Sequence, residues 1–321
     1  MTYKSLLERK VTHFPAWGVL LADTLTPQPE PPRDWDDSVD VGVWFERVLK
    51  LLNTTLWPKY DVALGDWYNP DLEHMHRLTA ADLSLMLEMQ AEDPDLLNSQ
   101  PSSPVRRYNS LTHKDLFEAE DRSDFGVGIP HYNWSSSPSP VLPVSPVDGD
   151  LLISFYSWKR GGLTRHLKNK LQRPRAYQMS LAYGLTDFRH RSASSAESPS
   201  MTSGHTMDGF MMLGGLVDAI YDRKTAMSSD DWAAIEQWGV DVGDRRVMGG
   251  VHYPGDNLGS WIAAMEIVPH VFTHSAEVRK HFWQAIQRST VYRRITAFDE
   301  DPVYRPALEQ LETYRPAEAR K

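Results

Sequence analysis

The chain contains no cysteine in 321 residues. This excludes a disulfide framework, every thiolate metal site and every cysteine nucleophile, and leaves nucleophilic work to His, Ser, Thr, Lys or the carboxylates. Long apolar runs are also missing. Phe210 to Tyr221 and Trp261 to Phe272 are the best candidates, but both are too short for a membrane span and carry acidic residues, so no integral membrane segment is expected. The first residues offer Lys4, Glu8, Arg9 and Lys10 before only a brief apolar run from Phe14 to Ala22, without a small-residue cleavage pattern. A signal peptide is therefore not expected, and the cytoplasm is the expected compartment. Net positive charge is lacking too. With 43 acidic against 34 basic residues the formal charge is -9, which argues against a nucleic-acid or anionic-membrane surface but leaves room for a small cationic pocket.

A chain of this length buries roughly 75% of its unfolded surface and needs no metal or disulfide staple. Its first 150 residues differ from the rest. Prolines 27, 29, 31 and 32 interrupt the start, Val43 to Leu52 reads as a short helix, and Ala80 to Glu92 reads as a better one opened by Thr79. From Pro101 to Asp150 the chain is rich in Pro, Ser, Gly and Asn, a composition that predicts no regular element. Phe125, Ile129, Tyr132 and Trp134 within it predict a cover packed over the rest of the protein rather than a free linker.

Beyond Asp150 the apolar spacing becomes helical. Helices are predicted over Leu151 to Leu171, ended or kinked by Pro174, over Ser203 to Tyr221, over Asp230 to Arg245, from His252 or Pro254 onward, and over Ser275 to Gln287, with one short helix from Arg305. Gly214-Gly215 suits close helix packing. The expected fold is all-α: a catalytic helical bundle at 151–290, an irregular, partly helical covering region at 1–150, and a tail at 291–321.

Three segments concentrate polar chemistry. In Lys168-Asn169-Lys170-Leu171-Gln172-Arg173-Pro174-Arg175, Lys168 and Arg175 lie seven apart, with Arg175 expected to project from the end distorted by Pro174. Arg160, Arg165, Lys170 and Arg173 make this the most cationic patch, and a solvated basic face explains it equally well on its own. In Thr202-Ser203-Gly204-His205, Thr202 or Ser203 can cap the following helix, Gly204 lets an anion approach the free N–H groups, and His205 sits in the first turn. In the third, His252 and Asp256 are four apart on one expected helical face, so the carboxylate can hold one imidazole nitrogen and leave the other as a nucleophile; a purely structural pair is the alternative. Arg246, across the Gly249-Gly250 turn, can fold back onto the same anion.

Together, in this order and spacing, the three segments resemble the type-2 phosphatidic acid phosphatase superfamily, which includes bacterial class A acid phosphatases and vanadium haloperoxidases. Its pattern is lysine, six residues, arginine-proline; then proline-serine-glycine-histidine; then serine-arginine, five residues, histidine, three residues, aspartate. Here Ala176, Thr202 and Arg245 replace the first proline, the second proline and the second serine, while every chemically active position matches. The resemblance covers about Asp150 to Phe272. It implies a helical bundle and a phosphatase in which His252 attacks phosphorus, Asp256 holds its other nitrogen, and His205 protonates the leaving oxygen and then activates water. Lys168, Arg175, Arg246, Ser203 and Gly204 would bind the phosphate oxygens, and no metal or other cofactor is implied.

Two other readings stay open: a haloperoxidase holding vanadate at the same residues, and a non-catalytic phosphate-binding helical protein. Tyr253-Pro254 after the nucleophile looks like the phosphatase branch. The expected partner is a small phosphate substrate. Phe155, Trp158, Met207 and Phe210 would suit a prenyl diphosphate or lipid phosphate, whereas the Phe125 to Trp134 segment would suit a soluble phosphomonoester. Arg245 is expected either to favour a second anionic group at the pocket mouth or to pair with Asp241 or Asp244.

Overall fold

Apolar residues at three- and four-residue spacing produce helix after helix, and no strand occurs among the residues described by the structure, a computed structural model. These residues are 1–9, 41–58, 71–100, 112–122, 163–164, 167–168, 170–193, 196 and 198–317. The helices are α1 (Tyr3–Leu7), α2 (Val41–Thr55), α3 (Leu72–Glu92), α4 (His113–Arg122), α5 (Ala176–Ala182), α6 (Gly204–Asp222), α7 (Ser229–Met248), α8 (Pro254–Val271), α9 (Ser275–Arg288), α10 (Thr290–Ala297) and α11 (Arg305–Glu312).

Helices α6 to α9 pack against one another, and Phe210 of α6 marks their centre, with its ring centroid 4.9 Å from Phe282 and 6.4 Å from Trp261. Helix α3 packs on α8 and α1, while α2 and α11 cover α8. The chain changes character at residues 150 and 290, but the core does not. Leu6, Val48, Leu52 and Leu78 from the first region and Val303, Ala307 and Leu311 from the last belong to the same buried cluster as Leu213 and Ile262.

Local signals set most helix boundaries. Ser203 caps α6, its Oγ accepting from the N–H of Thr206, and Ser228 caps α7 in a reciprocal pair with Asp231. Pro254, whose missing N–H costs nothing in the first turn, opens α8. The α3 boundary differs from expectation: the cap is Asp71, which accepts from the N–H of His74 at 3.0 Å, and Thr79 lies buried inside the helix. The segment after Pro101 also needs correction. Helix α4 forms within it because Thr112 and Asp115 exchange hydrogen bonds at its start and Leu116 and Phe117 are buried. Phe125, Ile129, Tyr132 and Trp134, together with residues 151–162, lie outside the described residues. The described residues from Leu163 to Leu171 are helical, and the chain leaves the helix before Pro174, with Gln172 at φ 45°. From the sequence no helix is predicted at α1, α5 or α10.

Glycine sets the closest helix approach. A Cβ on Gly209 of α6 would run into the carbonyl oxygen of Gly239 on α7 and come within 3.1 Å of the Val242 Cβ. Gly214 leaves room for the Phe272 ring. Gly209→Ala should cost about 1–3 kcal/mol through overpacking. Urea denaturation checks this, and an unchanged midpoint would show that the helices can separate without loss.

Candidate functional site

Pro254 at the first position of α8 leaves His252 in the turn just before the helix and Asp256 in its first turn. The two residues therefore do not share a helical face, as the four-residue spacing suggested. The carboxylate reaches back across the helix start instead: Asp256 Oδ2 accepts from His252 Nδ1 at 3.0 Å and from the N–H of Tyr253 at 3.0 Å. The Ser200 hydroxyl donates to the same oxygen. Arg173 Nη1 donates to Oδ1 at 3.0 Å. Burial alone would push Asp256 up, but Arg173, His252 and Ser200 outweigh it and hold the carboxyl below the ordinary range.

His252 is buried, and burial followed by the neighbouring Arg175 drives its pKa well below the ordinary histidine value despite Asp256. The ring is neutral at pH 7. With its proton on Nδ1 facing a carboxylate, Nε2 carries the lone pair, and Arg175 Nη1 donates to it at 2.7 Å. Arg175 is anchored by Nη1 to the Val251 carbonyl at 3.0 Å and by Nε to the Ser198 carbonyl at 2.6 Å. Burial lowers its pKa to about 10, so it remains charged.

The loop that presents His252 depends on Gly250, at φ +74°, where a Cβ would collide with the Arg189 carbonyl. The carbonyl of Arg246 closes this loop by accepting from the N–H groups of Val251 and His252 at 3.2 and 3.3 Å.

Lys168 is buried with Nζ donating to the carbonyls of Pro199 and Ser200. Burial and then Arg175 lower its pKa well below the ordinary lysine range, against the pull of Asp256 and Asp208. Ser203 is tied to α8 by its N–H, which donates to Ser260 Oγ at 3.0 Å. A Cβ on Gly204 would lie 3.7 Å from Thr164, on the segment that carries Lys168. His205, in the first turn of α6, places Nε2 3.4 Å from the carbonyl of Glu120.

Arg246 is buried over the Phe117 ring, 4.2 Å from guanidinium carbon to centroid, and Nη2 donates to the Phe117 carbonyl at 3.2 Å. Its ion-pair partners are Glu120 at 3.6 Å and Asp121 at 3.5 Å, so α4 rather than His252 receives its fork. Its charge still contributes to lowering the pKa of Arg175. Arg245 does not reach a pocket mouth. It is buried and forked onto Glu120 at 2.5 and 3.3 Å, with Asp241 4.0 Å away. Asp244 is engaged elsewhere, accepting from Ser289 and from the N–H of Thr290 at the start of α10.

The first and third segments thus meet where Arg175 contacts His252, and the second is tied to α8 through Ser203 and Ser260 and lies beside the first at Gly204 and Thr164. The supporting partners Arg173, Asp82, Ser200 and Glu120 were not singled out by motif spacing. Arg173, which the sequence places in a basic patch, is fully buried with no solvated face. Among the described residues no group of His, Cys, Asp or Glu is arranged to hold a metal ion, and no helix is long and apolar enough to cross a membrane. No family model matches the chain, and comparison with curated proteins and with solved structures gives no match.

The lowered pKa of His252 has a thermodynamic consequence. Below about pH 6.5 the unfolded chain takes up a proton at this residue that the folded chain refuses, so acidification weakens folding. Between pH 7 and pH 5.5 the parent should lose about 1 kcal/mol more stability than His252→Asn, measured by urea denaturation at both pH values. Equal losses would mean that the folded state also protonates this ring.

Proposed function

We propose that the chain is a phosphatase acting on a phosphomonoester or diphosphate through a phosphohistidine, as its resemblance to the type-2 phosphatidic acid phosphatase superfamily implies. The observation that carries this reading is the state of His252: neutral, buried, fixed at Nδ1 by Asp256, and holding an unprotonated Nε2 against the Arg175 guanidinium. A structural histidine needs no such lone pair aimed at a cation. A nucleophile that attacks a phosphate dianion needs both.

In this mechanism the substrate phosphate enters between Nε2 and the cations Lys168, Arg175 and Arg246. Arg175 transfers its donor from Nε2 to a phosphate oxygen, which frees the lone pair. A phosphate near Lys168 also favours the charged ammonium, against the burial that disfavours it. Nε2 forms a bond to phosphorus as the bond to the leaving oxygen breaks, and His205 delivers a proton to that oxygen. The imidazole ring, now positive, is stabilised through Nδ1–H by Asp256. Water then attacks phosphorus, His205 takes its proton, and the N–P bond breaks to return the lone pair to His252. Ser203 and the N-terminal amides of α6 would hold equatorial oxygens beside the cations, so the charge developing in the transition state meets donors already in place.

His252→Ala should abolish phosphate release while the fold is retained, and the parent should yield an acid-labile, base-stable phosphoenzyme in a rapid quench. Turnover by the pure variant would refute the role. Loss of His205 should slow alkyl phosphates by about 10²–10⁴-fold and aryl phosphates, whose leaving groups need little protonation, much less. Equal losses across a leaving-group series would make His205 a binding group. Halide oxidation that appears only with added vanadate and peroxide would assign the pocket to haloperoxidase chemistry instead.

A further inference from the structure

We infer that Arg173, shared between Asp82 and Asp256, is a positioning residue that sets how strongly Asp256 holds His252. This rests on the reading of His252 as the nucleophile.

Arg173 and Arg175 alternate along the short non-helical stretch that follows Gln172, and they reach opposite ends of one side-chain pair. Arg175 faces His252 Nε2, and Arg173 faces the Asp256 carboxylate behind it. The Arg173 carbonyl also accepts from the N–H of Ser200 at 2.7 Å, so the same backbone contact places a second Asp256 donor, the Ser200 hydroxyl.

The guanidinium has no freedom to leave. Its carbon lies over the Tyr253 ring, 3.9 Å from the centroid, and over the Trp57 ring at 4.7 Å, and the Trp57 indole N–H is fixed on the Leu171 carbonyl at 3.0 Å. Nη2 donates to Asp82 Oδ2 at 2.6 Å. Asp82 Oδ1 in turn accepts from the Tyr304 hydroxyl at 2.6 Å and from the N–H of Gly255, the second residue of α8, at 2.8 Å. Burial, and to a lesser degree Asp256, push the Asp82 carboxyl up against the pull of Arg173 and Tyr304; Arg173 and Gly255 can only donate, and it is this donor geometry that suits an ionised Asp82.

One cation therefore serves two buried carboxylates, and the group keeps a formal charge of minus one behind His252. Were Arg173 paired with Asp256 alone, the full positive charge would make that carboxylate a weaker acceptor for Nδ1–H. Asp82 takes part of the charge away. Asp256 thus stays basic enough to stabilise a positive ring on His252, while Arg173 keeps it ionised and oriented. Asp82 belongs to α3 and Tyr304 to the segment before α11, so the two ends of the chain tune a group in the middle.

The direct readout is the ring Nδ1–H proton of His252 by NMR at pH 8, assigned through its loss in His252→Asn. In Asp82→Asn the full charge of Arg173 falls on Asp256, the hydrogen bond weakens, and the resonance should move upfield. In the double variant Asp82→Asn/Arg173→Met the cation and its extra counter-charge leave together, the group keeps its formal charge of minus one, now all on Asp256, and the resonance should move downfield of both the parent and the single variant. Opposite displacements support the inference. A resonance that stays in place, or moves the same way in both folded variants, overturns it, because a role limited to packing predicts no sign change. If the double variant does not fold, the upfield displacement in Asp82→Asn decides alone.

Turnover gives a second arm. Asp82→Asn should lower kcat by about tenfold with KM unchanged, since Asp82 lies behind the pair and does not touch phosphate. An unchanged kcat in a turning-over enzyme overturns the inference. A parent that releases no phosphate from any substrate refutes the phosphatase reading, and the NMR displacements then test the positioning by themselves.

Discussion

A carboxylate buried without solvent must have every lone pair met and its charge answered, and Asp256 imposes that demand on the protein. Its donors come from distant parts of the chain: His252 and Tyr253 beside it, Ser200 on the loop before α6, and Arg173 after the helix that carries Lys168. Arg173 then requires Asp82, and Asp82 requires Tyr304. Satisfying one carboxylate thus fixes α3, the loop before α6, the start of α8 and the approach to α11 relative to one another. Gly255 fits because a Cβ there would come within 2.9 Å of Asp82 and 3.2 Å of Arg173.

The second constraint is the balance of buried charge. Arg173, Arg245 and Arg246 are fully buried in a protein of net charge -9, and each is matched by carboxylates within 4.0 Å. Arg175 donates to the Ser198 and Val251 carbonyls and to His252 Nε2, and Lys168 donates to the carbonyls of Pro199 and Ser200. Matched arginines give the region its frame. Burial weakens the charged forms of Arg175 and Lys168, and a nearby anion would favour those forms. Helix α4 stands between these classes, because Glu120 answers Arg245 and Arg246 while its carbonyl lies beside His205.

Legibility in the sequence followed the range of each interaction. Helices with strong apolar spacing and local caps, such as α6 after Ser203 and α7 after Ser228, could be read directly. Helix α4 was missed because turn-forming residues around it masked a local signal, the Thr112 and Asp115 pair, that was present. The candidate site was legible as motif residues at set spacing, yet the spacing gave the wrong geometry for His252 and Asp256. Four residues suggest one helical face, but the proline at 254 starts the helix after His252. For Arg245 the expected pairing with Asp241 occurs at 4.0 Å, but its shorter contacts are with Glu120, which lies 125 residues away, beyond any local pattern.

By itself the sequence determined the helical class, the absence of thiol chemistry, and the order of the residues that gather at the site, because these depend on residue type and on periodicity within a few turns. The tertiary structure alone decided which arginines face carboxylates and which face His252. It also decided that Asp82 and Tyr304 belong to the site and that one core spans the divisions at 150 and 290. Those outcomes depend on through-space electrostatics and packing between distant segments, 222 residues apart for Tyr304 and Asp82, and neither leaves a period or a motif in the chain.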